Sequence, residues 1–231
     1  MRFFRFYIPA AALFLALPAL AGESTQPQRV LELFTSQGCS SCPPANKFAG
    51  KMAGDSNTLV LSYGVTYWDY LGWKDTFAKP DFTKRQRSYG RALGSANVYT
   101  PQMILNGSAH GPHYTEGDVR SMDIPSGAPD ISINIERGQL VVSAQAASKP
   151  ASYKAVLVEY VPGPQSVPVK RGENGGRILT VTNVVTNVKP LGTWEQTDTL
   201  ETGVKPRSGK AYCVLLHDLD TLKIATAASY N

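Results

Sequence analysis

Three cysteines and three histidines are few for a chain of 231 residues, and that scarcity closes off several classes of protein. A disulfide-stapled scaffold needs dense cysteines, so stability here must come from apolar cores. Charge is sparse too: 18% of residues are Asp, Glu, Lys or Arg, and the formal net charge of +5 is scattered. Nucleic-acid binding calls for a clustered basic stripe, so no nucleic-acid partner is expected. No apolar run reaches the ~20 residues of a membrane span. The run from Ile8 to Leu20 is interrupted by Pro9 and Pro18. Internal repeats and low-complexity tracts are missing as well.

What stands at the start is an export signal. Met1-Arg2 and Arg5 precede the apolar run, and Ala19-Leu20-Ala21 gives a small-x-small pattern before the chain turns polar at Glu23-Ser24-Thr25. Residues 1–21 are therefore expected to be a cleaved signal peptide, leaving a periplasmic or secreted protein with no stable membrane anchor. Cleavage removes Arg2 and Arg5 and takes the charge from +5 to +3. The composition, 42% hydrophobic, is ordinary for a globular protein of one or two domains.

Val30-Leu31-Glu32-Leu33-Phe34 reads as a short buried strand closed by the turn-formers Thr35-Ser36-Gln37-Gly38. A helix follows, with Ser40 or Ser41 as N-cap, because Pro43 and Pro44 lack N–H groups and are tolerated only in a first turn. Thr58–Tyr63 is a second strand, and a parallel βαβ unit is the economical arrangement. The aromatic segment Tyr67 to Asp75 comes next. A helix is predicted over Asp81–Leu93, then a strand over Val98–Gly107 that ends in the turn-favouring pair Asn106-Gly107. Near Ile124–Pro129 the texture changes to a linker, and beyond it alternation replaces helical periodicity. Strands are expected over 131–136, 140–144, 154–161, 178–188, 211–217 and 223–228, suggesting an antiparallel β-sandwich. The expected domains are 22–125 and 126–231.

Cys39 and Cys42 form a Cys-x-x-Cys pair, which can close a small disulfide ring where the backbone turns into a helix. Unpaired N–H groups and the positive end of the helix dipole favour thiolate there. With Ser41 as cap, Cys39 is expected to be exposed and Cys42 covered, which makes Cys39 the attacking nucleophile and Cys42 the resolving thiol. Half a zinc site has the same spacing, but a structural site needs four ligands and no second pair exists, so no metal or cofactor is expected. Cu(I) capture by Cys39, Cys42 and a histidine stands as a competing reading.

Taken together, strand, Cys-x-x-Cys at a helix start, strand, helix, and Thr100-Pro101 leading a strand and hairpin, the chain resembles thioredoxin-fold proteins. The resemblance implies an α/β thioredoxin-like domain followed by a mostly antiparallel β-sandwich-like domain. It implies that Pro101 is cis beside the cysteines, with Tyr99 and Thr100 offering backbone groups to a bound peptide. More narrowly, the run from Leu31 to Pro44, the segment Tyr67–Asp75, Arg171-Gly172-Glu173-Asn174 and Thr182-Asn183-Val184-Val185 resemble a bacterial family of exported thioredoxin-like proteins catalogued as a domain of unknown function. Members of that family usually carry His-Val-Asp ahead of Tyr-Trp-Asp, where this chain has Gly64-Val65-Thr66.

Glu32 is an unusual residue for a strand buried on both faces. It is a candidate proton relay, as thioredoxins carry under the resolving cysteine, or else a paired or edge carboxylate. Trp68, within the aromatic segment, is a candidate contact for a substrate peptide or a plug between domains. Cys213 reads as a small buried hydrophobe. Arg171, Glu173, Asn174 and Arg177 form a polar cluster that is either a binding loop or a hairpin turn. The expected function is an exported thiol–disulfide oxidoreductase or redox partner acting on a protein or a small thiol or disulfide. The alternatives are a non-catalytic binding module and Cu(I) handling.

Overall fold

The computed structural model describes residues 23–95, 97–144, 152–195 and 199–231; the expected signal peptide at 1–21 lies outside them. In chain order the elements are β1 (Ser24–Thr25), β2 (Arg29–Thr35), α1 (Cys42–Met52), β3 (Thr58–Gly64), a single 3₁₀ turn (Asp69–Leu71), α2 (Pro80–Ala92), β4 (Gln102–Leu105), β5 (Ala109–Gly111) and α3 (Glu116–Arg120). These are followed by β6 (Ile131–Glu136), β7 (Gln139–Ala144), β8 (Ser152–Pro168), β9 (Ile178–Glu195), β10 (Leu200–Glu201), β11 (Ala211–Asp218) and β12 (Ile224–Tyr230). The fold is mixed α/β: a nine-stranded sheet in the order β1-β12-β11-β8-β9-β3-β2-β4-β5, few helices, and a second sheet of β10, β7 and β6. That second sheet is antiparallel throughout.

β2 and β3 pair in parallel, and β4 adds to β2 antiparallel. Asn106 and Gly107 both take positive φ, 50° and 63°, in the turn between β4 and β5, the conformation that this residue pair adopts at least cost. Alternation along β2 divides its side chains between two layers. Leu31 and Leu33 pack with Ala45, Ala49 and Met52 of α1 and Val119 of α3. Val30 and Phe34 pack on the other face with Phe82 and Tyr89 of α2.

The boundary expected at 125–126 separates the chain in sequence, but in space the large sheet runs through both parts. β9 lies parallel to β3, with Ser62 opposite Val184. The α2 layer accordingly includes Val158, Tyr160, Val185, Cys213 and Leu215 beside Val30 and Phe34. The small sheet forms the sandwich-like layer, packing Ile131, Ile133, Leu140 and Val142 against Leu157, Val214 and Leu216.

One ionic group sits within the α2 layer. Glu32, wholly buried, takes the Arg85 Nε at 2.7 Å and Nη2 at 3.1 Å, and also accepts from the Tyr89 hydroxyl. The same Nη2 lies 3.4 Å from Nε2 of His217 on β11, whose Nδ1–H donates to the Leu222 carbonyl at 2.9 Å. Burial pushes the Glu32 carboxyl up, but the guanidinium and the Tyr89 hydroxyl outweigh it and leave the pKa below the ordinary carboxylate value. Burial, reinforced by Arg85, lowers the His217 pKa from 6.5 to about 4, so this imidazole is neutral in the folded protein.

An unfolded chain takes up the His217 proton from about pH 6.5 downward, whereas the folded one resists until about pH 4, so stability is lost as pH falls through that window. Urea unfolding at pH 7 and pH 5 should show this loss, and His217→Gln should flatten it. An unchanged pH slope in the variant would show that the ring is not held neutral. Arg85→Ala, which strands the Glu32 carboxylate, is expected to cost about 3–5 kcal/mol at neutral pH in the same measurement.

Candidate functional site

The segment between β2 and α1 makes a tight turn held by its own backbone. Cys39 N–H donates to the Ser36 carbonyl and Cys42 N–H to the Cys39 carbonyl, each at 3.2 Å. This brings the cysteine Cα atoms to 5.4 Å, within disulfide range, and Cys39 and Cys42 are bonded. Gly38 lies against Trp68: a Cβ there would stand 3.1 Å from the Trp68 Cβ.

Ser41 is the N-cap, yet its hydroxyl makes no capping bond. The reason lies in the sequence: a capping side chain accepts from the N–H of the second or third helical residue, and those are Pro43 and Pro44. The released Ser41 Oγ instead lies 3.3 Å from Cys39 Sγ and donates at 3.5 Å to the Thr100 carbonyl. The Thr100–Pro101 bond is cis. Trp68 Nε1–H donates to Thr100 Oγ1 at 2.7 Å. Cys39, Cys42, Trp68, Thr100 and Pro101 thus gather at one end of the sheet. Tyr99 adjoins them, and its carbonyl accepts from Gln86 Nε2 at 2.7 Å.

Two expectations are corrected here. Cys39 is not exposed: both cysteines have zero exposure, and a loop from the distant β8–β9 hairpin is bonded to the backbone of the turn. Glu32 is not brought to the dithiol: it points to the α2 face, while α1 and its cysteines sit on the opposite face, and Arg85 holds it as a paired carboxylate. Cys213 is buried and free in β11, its thiol pKa pushed up by burial and by the Glu32 charge. Among the described residues, no group of three or more His, Cys, Asp or Glu could hold a metal ion.

The covering loop is the Arg171–Arg177 cluster. Asn174, with no exposure, donates through Nδ2 to the carbonyls of Gln37 at 3.0 Å and Cys39 at 2.8 Å. Its Oδ1 accepts from Arg177 Nη1 at 3.0 Å. Glu173 Oε2 accepts from the Ser40 N–H at 3.0 Å, and the Ser40 hydroxyl together with that N–H holds its carboxyl below the usual value.

Gln37 and Asp75 are functional neighbours that sequence reasoning missed. Gln37 Oε1 accepts from Trp73 Nε1 at 2.8 Å and Thr76 N at 3.2 Å, while its Nε2 donates to Thr76 Oγ1 at 2.9 Å. Asp75 accepts from Gln37 N at 2.7 Å and Phe77 N at 2.8 Å; burial raises its pKa despite these donors. Together they clamp the aromatic segment onto the dithiol turn. Nothing local marked Gln37, which sits in a run of turn-formers. Gln37→Ala leaves buried donors and acceptors without partners and is expected to cost about 1–3 kcal/mol in urea unfolding, with loosened Trp73 fluorescence.

The family model described as "Protein of unknown function (DUF1223)" matches residues 30–216. A crystal structure of a structural-genomics protein from Agrobacterium tumefaciens is 30% identical, with a TM-score of 0.69 over 89% of this chain and 95% of that one. HBP35 of Porphyromonas gingivalis is similar in fold alone, at 11% identity and a TM-score of 0.56 over 88% of this chain and 74% of that one. No curated protein matches the chain.

Proposed function

We propose that this chain, which belongs to the family described as "Protein of unknown function (DUF1223)", is an exported thioredoxin-like protein that exchanges thiols and disulfides with partner proteins or small thiols. The observation that carries this reading is the Cys39–Cys42 disulfide at the turn from β2 into α1, facing Thr100 and Trp68. The order parallel β2-α1-β3, then α2, then the antiparallel β4–β5 hairpin and α3, with α1 and α3 on one face of the sheet and α2 on the other, supports the thioredoxin-like part. The apolar N-terminal run from Ile8 to Leu20, with the Ala19-Leu20-Ala21 pattern at its end, supports export to the periplasm or beyond.

In the reducing direction, the Cys39 thiolate attacks one sulfur of a partner disulfide. The partner's S–S bond breaks, a Cys39–partner mixed disulfide forms, and the leaving sulfur departs as a thiolate that takes a proton. Cys42 then loses its proton and attacks Cys39 Sγ. The internal disulfide closes and the second partner thiol is released. Two electrons pass from the protein dithiol to the partner disulfide, and an external dithiol must return them. Run backwards, the same steps oxidise a partner.

Cys42→Ser expressed in cells should accumulate mixed disulfides through Cys39 that vanish on reduction, and Cys39→Ser should accumulate none. Absence of trapped species, together with no reduction of a model disulfide in vitro, would refute exchange. One observation favours the rival reading, a binding module on the same scaffold: neither cysteine has any exposed surface. That reading expects Cys39→Ser to behave as the wild type in cells.

A further inference from the structure

The loop over the dithiol is made differently from an ordinary hairpin end. Of residues 170–178, Asn174 alone is buried, and its amide is fully engaged. An exposed polar loop that inserts one amide against the Cys39 carbonyl is held there chiefly by specific hydrogen bonds. Disulfide exchange requires an approach to a sulfur, and zero exposure prevents one. Some cover at the turn must therefore move for Cys39 to react, and the loop is bonded to the Cys39 carbonyl and the Ser40 N–H.

The loop also sets the charge at the turn. Three elements that meet or continue this segment carry charged residues: Arg171, Glu173 and Arg177 on the hairpin loop, Asp69, Lys74 and Asp75 on the aromatic segment, and Lys47 on α1. Only Glu173 and Asp75 bond into residues 36–44 among the described residues, and both are carboxylates. Pro43 and Pro44 have meanwhile removed two of the N–H groups that a helix start offers to an anion. A neutral hydroxyl, Ser41 Oγ, is left beside Cys39 Sγ.

We propose that the 171–177 loop is a working part of the dithiol site, in which Asn174 gates access to Cys39 and Glu173 keeps Cys39 in its thiol form until a polypeptide displaces the loop. This rests on the exchange reading and adds to it the kind of partner. A displaced loop frees the Ser40 N–H, the Gln37 carbonyl and one lone pair of the Cys39 carbonyl, which keeps its bond from the Cys42 N–H: one donor and two acceptors along a turn. An extended polypeptide carrying a disulfide fits this pattern through its own backbone. Asn174 and Glu173 are positioning residues, since both act on Cys39 through neighbouring backbone.

The two effects separate in the pH profile of iodoacetamide alkylation at Cys39 in the reduced mature protein, read by peptide mass spectrometry. The midpoint reports the thiol pKa and the high-pH plateau reports access. Wild type is expected to show a midpoint at or above the ordinary ~8.5 and a low plateau. Glu173→Gln should lower the midpoint, giving about threefold to tenfold more thiolate at pH 7. Asn174→Ala should raise the plateau about tenfold or more. Both substitutions fall outside the apolar cores, and circular dichroism checks that the fold is kept. An unmoved midpoint in Glu173→Gln removes the tuning, and a wild-type plateau in Asn174→Ala removes the gate. If both shifts appear while Cys42→Ser traps no partner, the loop's action stands and exchange as the function fails.

Discussion

At Asn183 the longest hairpin of the protein changes direction, and the arrangement of the dithiol site follows from that bend. Asn183 takes a positive φ of 53°, a conformation that asparagine tolerates better than most residues. Its side chain donates to the Val60 carbonyl of β3 at 3.0 Å and accepts from Gly163 N at 2.8 Å. Beside it the β8–β9 register slips between Val161 and Pro164. The inner part of the hairpin joins the large sheet. The outer part lies along α1, where the two enclose a cleft of about 620 Å³ and Thr182 Oγ1 stands 3.0 Å from where a Gly50 Cβ would be. The tip is thereby delivered to Cys39.

The two faces of the sheet have been given different work. On the α2 face, Glu32, Arg85, Tyr89 and His217 tie β2 to β11 through an ion pair and its hydrogen bonds, which are demanding of geometry because every unpaired member would be costly. On the α1 face the layer is apolar, and the polar groups are concentrated at the helix start. A charge under the cysteines would have to sit on the α1 face, and β2 places Leu31 and Leu33 there. The polar side chains nearest the dithiol are therefore at the turn itself, Ser41 beside Cys39 Sγ and the carboxylates of Asp75 and Glu173 on the N–H groups of Gln37 and Ser40.

The double proline after Cys42 has a consequence beyond helix nucleation. By removing the donors that an N-cap hydroxyl would use, Pro43 and Pro44 turn Ser41 from a structural cap into a neighbour of Cys39 and Thr100. The same substitution of rings for N–H groups weakens the electropositive character of the helix end, while Glu173 occupies the Ser40 donor. In this turn the local sequence and the distant loop act in the same direction on the cysteine.

Chain order, the position of most strands, the helix start at the cysteine pair and the Asn106-Gly107 turn were legible in the sequence, because each depends on neighbours within a few residues. Alternation located β6, β7 and β11 to within a residue or two, and the proline pair placed the first turn of α1. What local pattern cannot carry is which surface lies over which. Asn174 meets Cys39 across 135 positions and Arg85 meets Glu32 across 53, so the cover on the thiol and the pairing of the carboxylate arise only when β9 docks on β3 and α2 on β2. The sequence determined the chemistry of a dithiol at a helix start; tertiary structure decided that Cys39 is covered, that Glu32 serves the core, and that the polar 171–177 loop meets the dithiol turn.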